Sequence, residues 1–573
     1  MIYSKVETSK TSRWRRSYNH LRAEFKEKSW MSHGKELSDY IMPFLGKNLN
    51  SENNSTEKND GRKKHQEIIN SVPKQAIRTC AAGIQGGLTS PSRPWFQLAL
   101  PDEEMSEVES IRDWLHDVRN ILLGVFSSSN FYSQMHALNY ELCLFGTGVM
   151  IIEEDMETIA RFKTLTYGEY VLQLDSKGRP AQLFRLFSMT ADQLCEMFGD
   201  ENLTETIKNA LLNGDSKTRF DVVHVIEKNQ EKKQDKGDHR GMDWKSAYFP
   251  LVCDCGGNTI FRESGYRTCP FVAPRWQVIA DNTYGYSPAM EALGDIKQLQ
   301  KLERDKLMAI AKGVNPAMNA PTSMRGKAAN TLPGGITYID VQQGQQGFTE
   351  SHQVRLNIAD VRAEIAAVET RIKETFFNNL FLASLAETKD MTAREVSERA
   401  QEKMMALGPI LENLMSDSLD TIIDRVYSIC DQNLKLLPPT PKEMPAGVPI
   451  DIKYISLLAQ AQKMVGNSSL EQLLMMIGQM AQMSPDVLHK FNADEFIDQY
   501  ASALGVPPKI INSDEEVAKV REKQQAQMQM QQMAQMAPQM AGAVKDLGQT
   551  PTQGGTQNVL DMLMGGAGQV PAR

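Results

Sequence analysis

Two amphipathic helical patterns, residues 288–311 and 358–381, bracket a stretch of a different texture, and this layout limits the chain more than any other feature. In the first, Leu293, Ile296, Leu299, Leu302 and Leu307 recur at helical spacing beside a charged face of Lys297, Lys301, Glu303, Arg304, Asp305 and Lys306. Ser287 precedes Pro288 as a candidate N-cap, and Gly313 and Pro316 close the segment. In the second, Val361, Ile365, Val368 and Ile372 share one face. Each helix spans about 36 Å at 1.5 Å per residue. Between them, residues 315–352 are rich in Gly, Gln and Pro, with one strand-like run, GITYIDV. A pair of this kind must bury its apolar stripe against the rest of the chain or against other copies. On periodicity alone, a solvated coiled coil in an ordinary scaffold fits equally well.

The surrounding chain is mixed. Residues 1–45 read as helical through Trp14, Tyr18, Leu21 and Phe25, and 47–64 as a polar loop. Helical patterns return at 68–88 and 108–144. From Gly146 to about Val278, short β-branched and aromatic runs predict strands at 148–152, 170–174, 220–226, 246–252 and 259–263, pairing locally. Beyond residue 391 a helical stripe runs for nearly forty residues, with Thr392 and Glu395 as a capping box and Pro409 inside it. A proline there removes a backbone hydrogen bond and predicts a kink at 405–409. The Pro-rich run 437–449 ends this unit, and shorter helices follow to about Ala503. From Arg521 the tail holds 12 Gln and 7 Met in 53 residues, the composition of a disordered tail or of a helix that packs on its own copies. The expected class is α+β, predominantly helical.

Several activities are disfavoured. No run approaches the roughly 18–20 apolar residues of a membrane span, and the N-terminus lacks the apolar core of a secretory signal. There is no phosphate-binding P-loop, nucleophile elbow or paired metal-binding histidine motif, so neither catalytic residue nor cofactor is expected. Seven scattered cysteines read as reduced thiols. Cys253 and Cys255, with Cys269 and His239 nearby, are the one metal-like group, but a C-x-C pair without a second pair is an incomplete zinc set, and no metal is expected. The acidic run Glu153–Glu154–Asp155 is the sole hint of a metal-dependent nuclease and reads more simply as a solvated strand end. A formal net charge of −8 argues against a protein that coats nucleic acid through a basic surface.

Four segments carry a resemblance: GLTSPSRPWFQL (87–98), ELCLFGTGVMIIEE (141–154), CPFVAPRWQV…YGYSPAMEALGDIKQLQ (269–300) and MTAREVSERAQEKMMALGPILENL (391–414). In that order they resemble the head-to-tail connector, or portal, proteins of short-tailed bacteriophages. The likeness spans about residues 10–430.

The resemblance implies a ring of about twelve subunits at one capsid vertex of the virion, assembled in the bacterial cytoplasm. It implies a wing (1–287), a first stem helix (288–314), a clip (315–352), a second stem helix (353–381), a tunnel loop (382–391), a long kinked wing helix (392–436), a linker (437–449) and a helical crown (450–520), followed by the tail (521–573). Double-stranded DNA would pass through the channel. The terminase large subunit, scaffolding and major capsid proteins and tail adaptor proteins would dock outside it, and no membrane is involved. Lys389, Lys297, Lys301, Arg304 and Arg371 become candidates for tunnel contacts, with Lys301–Asp305 and Glu303–Lys306 as competing ion pairs. Arg325 and Lys327 become candidates for docking at the clip. The rival is a scaffold or tail protein without a DNA path.

Overall fold

The structure is a computed structural model. It describes residues 10–49, 67–102, 105–106, 108–230, 232, 239–252, 259–320, 325–326, 349–350, 358–382, 407–433, 435–445, 447–456, 476–479, 492, 496, 517, 519–528 and 530. The chain divides into two units: residues 1–101 with 114–491, and residues 102–113 with 492–573. In the second, residues 519–528 are helical and exposed.

The first unit opens with α1 (Lys10–Glu27) and α2 (Trp30–Ile41), separated at Ser29, whose φ of 64° stops the helix. The expected stripe is real: Trp14, Tyr18 and Phe25 are buried. α3 (Val72–Leu88) follows, then strand β1 (Phe96–Ala99). The helical pattern at 108–144 resolves into two helices, α4 (Glu109–Ser128) and α5 (Phe131–Phe145). The break falls after a Ser-rich run, where side chains that compete for backbone hydrogen bonds weaken a helix.

The β region contains more strands than the sequence pattern announced. β2 (Val149–Asp155) pairs with β3 (Ile159–Leu165) and with β9 (Phe271–Val272), all antiparallel. A five-stranded antiparallel sheet runs in the order β4 (Tyr170–Leu174), β5 (Pro180–Thr190), β6 (Arg219–Lys228), β7 (Trp244–Pro250), β8 (Arg262–Tyr266). Sequential neighbours pair, as expected of a local meander. The sequence pattern did not single out β3, where exposed Arg161 and Lys163 break up the apolar run, or β5, where a buried Arg185 stands inside it. The expected strand at 259–263 lies later, at 262–266. Between β5 and β6, α6 (Ala191–Phe198) and α7 (Glu205–Leu212) cover one end of the sheet through Leu194, Phe198, Leu203 and Ile207.

Ser287 caps as expected: its hydroxyl accepts from the Met290 N–H at 3.0 Å and donates to the Leu144 carbonyl at 2.9 Å. A short turn, Pro288–Glu291, leads into α8 (Leu293–Val314). Met318–Asn319 (β10) and Thr349–Glu350 (β11) form a small antiparallel bridge. α9 (Ile358–Thr375) returns antiparallel to α8. The second helix is shorter than the pattern implied, because Phe377 at φ 56° breaks it before α10 (Asn378–Leu382).

The long helical stripe is described from residue 407. It is helical over 407–414, π-helical over Met415–Leu419, α-helical over Asp420–Ser428 (α11) and π-helical again over Ile429–Asn433. The capping box at Thr392 and residues 405–406 of the expected kink lie outside the described residues. Pro409 itself is exposed and in helical conformation. A further correction concerns 450 onward. Where helices were expected directly after the linker, Asp451–Tyr454 forms β12 and pairs antiparallel with β1, Phe96 opposite Tyr454.

Candidate functional site

The helix pair α8–α9 is the candidate site, and its inner half is built into the fold. Ile296 and Leu299 on α8 and Val368 and Ile372 on α9 are fully buried. Gln300, 2% exposed, forms a polar clamp: its Oε1 accepts from the Ile69 and Asn70 N–H groups at 2.7 and 2.9 Å, and its Nε2 donates to the Asn70 carbonyl at 2.9 Å. Asn70 Nδ2 donates to Glu303 and Glu369, one on each helix, while its Oδ1 accepts from the Val72 N–H at the start of α3. Sequence reading missed this knot. The available signal was a glutamine standing beside Leu299 on the apolar face.

The outer half of α8 is bare. Leu307 is 52% exposed, Met308 49%, and Val314 81%, and Ile358 at the facing end of α9 is 40% exposed. So among the described residues the apolar stripe is buried near its root and exposed towards its outer end.

The proposed tunnel cations fall into three groups. Lys297 contacts Glu36 on α2, with its ammonium 5.8 Å from the Tyr40 ring centroid; Arg304 bonds Glu67 at 3.2 Å; Arg371 bonds Asp295 at 3.0 Å across the pair. These three tie the helices to the chain's own carboxylates. Lys301 is exposed and has no ion-pair partner among the described residues. Of the two competing pairs, Glu303–Lys306 forms at 2.5 Å and Lys301–Asp305 does not. Arg325 is exposed; Lys327 and Lys389 lie outside the described residues.

The rival metal and nuclease features have structural occupations. Glu154 Oε1 accepts from Arg425 Nη2 at 3.2 Å, and Arg425 lies 5.0 Å over the Tyr266 ring. Asp155 accepts from the Thr158 hydroxyl at 2.8 Å in the β2–β3 turn, which holds its carboxyl below the usual range. Cys269 is half-buried and donates to the Phe271 carbonyl, and burial pushes its thiol up to about 12. Cys253 and Cys255 lie outside the described residues. Among the described residues no cluster of His, Cys, Asp or Glu is arranged to hold a metal ion, and no helix is long and apolar enough to cross a membrane.

Comparison with known proteins gives the class. The sequence pattern of the family described as bacteriophage head to tail connecting protein matches residues 12–511. A probable portal protein of Bordetella phage BPP-1 is 36% identical over 551 residues, 96% of each chain. The portal protein of Salmonella phage epsilon15 is 36% identical over 91% of this chain and 93% of its own. The portal protein of Enterobacteria phage T3 is 21% identical over 62% of this chain and 64% of its own. This chain belongs to the bacteriophage head-to-tail connecting protein family.

Proposed function

We propose that this chain is the subunit of a phage portal ring, a passive structural conduit in the virion and not an enzyme. The observation that carries the reading is the match along almost the whole chain to portal proteins of two phages at 36% identity. In this reading α8 and α9 are the stem, 315–352 the clip, 382–391 the tunnel loop, and 392–436 the kinked wing helix. The bare outer half of α8 supports it, since neighbouring copies would cover Leu307, Met308 and Val314. Double-stranded DNA passes through the channel, the terminase large subunit and later the tail adaptors dock at the clip through Arg325 and Lys327, and scaffolding and capsid proteins surround the ring.

An acidic lining suits passage, because every neutralised phosphate adds salt-dependent affinity and so friction. A twelvefold ring would carry a formal charge of about −96, twelve times the −8 of one chain. Lys301 and Lys389 are the preferred contacts with passing DNA. Lys297 and Arg304, being paired with Glu36 and Glu67, hold the stem to the wing instead, and Arg371, paired with Asp295, holds the two stem helices together. Electron microscopy of the purified chain tests the reading: rings with a central channel wide enough for a duplex are expected. Particles without a channel would favour the scaffold alternative.

A further inference from the structure

A cavity of about 940 Å³ lies away from the helix pair, between the β2–β3 hairpin and the five-stranded sheet. Arg161 and Lys163, alternate residues of β3, present their side chains on one wall. Lys47 comes from the short turn Leu45–Leu49. None of these three cations has an ion-pair partner among the described residues, whereas Arg185 on β5 is spent on Glu169 at 2.7 Å. Partial desolvation within the cavity holds the Lys163 ammonium below its usual range although the residue stays open to solvent, and the neighbouring Arg185 charge adds to this. Phe187 and Met189, which follow Arg185 on the same face of β5, and Met197 on α6 supply an apolar wall. Ser188 and Asn48 also line the space.

The charge arithmetic selects the ligand. Four lining cations face three carboxylates (Glu153, Glu169 and Glu196), a formal excess of one positive charge. A polyphosphate would meet those carboxylates with several negative charges at once. A single carboxylate would meet the three unpaired cations and leave the site neutral, with an adjoining apolar side chain free to cover Phe187 and Met197. We propose that this cavity binds a protein segment that carries one carboxylate beside an apolar residue. The site is a docking point on the body of the subunit, and no residue of the helix pair lines it.

The test uses the full-length purified assembly and a fluorescein-labelled peptide with one glutamate between two leucines in a glycine–serine background. Binding in the range of tens of micromolar, read by fluorescence anisotropy, is expected. Replacing the glutamate by glutamine should weaken it about tenfold, the scale of one charge-assisted hydrogen bond. Lys163→Gln and Arg161→Gln should each weaken it severalfold, and Lys177→Gln, on the β4–β5 turn outside the cavity, should not. The substituted side chains are exposed, and an unchanged circular dichroism spectrum will establish that each variant folds. Absence of binding, or binding indifferent to the glutamate or to Lys163, overturns the proposal. So does a short DNA duplex that competes for the site at lower concentration than the peptide and loses affinity in the same variants.

Discussion

Glu141 shows how much a single residue can depend on its surroundings. It stands on α5 beside Tyr167 and Tyr170, fully enclosed, and accepts a hydrogen bond from the Tyr167 N–H at 3.0 Å. Among the described residues it has no ion-pair partner, and burial pushes its carboxyl up to about 8. The unfolded chain releases this proton near pH 4.5 while the folded chain keeps it to about pH 8. The folded state therefore loses stability as pH rises through that window, by up to about 1.4 kcal/mol per pH unit, and the loss levels off above it. Glu141→Gln keeps the shape, removes the titration and retains an oxygen to accept from the Tyr167 N–H. Denaturant titration between pH 5 and 8 should show the variant losing this component of the slope and gaining about 1–3 kcal/mol at neutral pH. An unchanged slope would mean that the carboxyl is already charged in the fold. Gly146 is a second residue-scale constraint. Its φ is 75°, and a Cβ there would lie 2.4 Å from the Gly285 carbonyl oxygen, so Gly146→Ala should cost about 2 kcal/mol or more in thermal or chemical unfolding.

At the scale of elements, the chain uses side chains to finish what the backbone leaves open. β3 is an edge strand, and an edge invites pairing with other chains. Here Asn130 substitutes for the missing neighbour: its Nδ2 donates to the Phe162 carbonyl at 2.8 Å, and its Oδ1 accepts from the Phe162 N–H at 2.9 Å. Gln134 Oε1 does the same for the Thr164 N–H at 2.8 Å. Asn130→Ala should lower stability by about 1–3 kcal/mol, since it strands two polar backbone groups, and should raise light scattering on heating. Gln300 joins elements instead of closing one. Gln300→Leu fills the same space but leaves the Ile69 and Asn70 N–H groups without an acceptor. Faster amide exchange at 69–72 and along the inner half of α8 is the expected result, with a stability loss of similar size. Equal exchange in both proteins would show that water replaces the amide.

For the whole molecule, the division between the buried root of α8 and its bare outer half is the main consequence. If neighbouring copies cover that half, Val314→Glu should leave the isolated subunit's circular dichroism unchanged while sharply reducing the yield of rings on a sizing column. Pro409 belongs to this scale as well. It lies in the helical run that leads into the first π segment, and α11 beyond that segment is anchored by Arg425 at 1% exposure. Pro409→Ala should impair DNA packaging more than ring assembly if the helix must flex as DNA passes. Equal loss of both would make the proline a structural feature alone.

The sequence by itself determined what local chemistry determines: the Ser287 cap, the inward stripe of Trp14, Tyr18 and Phe25, the meander of neighbouring strands, the paired helices around a Gly-rich insert, and the family likeness. Periodicity and capping depend on residues a few positions apart, so they can be read directly. Only the tertiary structure decided that Asp451–Tyr454 pairs with Phe96–Ala99, that Gln300 grips the chain at 69–70, and that Lys297, Arg304 and Arg371 meet carboxylates far away in sequence while Lys301 does not. A helix face shows which charges share a side. Which counter-charge the rest of the chain brings to that side depends on how distant segments pack, and no local pattern carries that information.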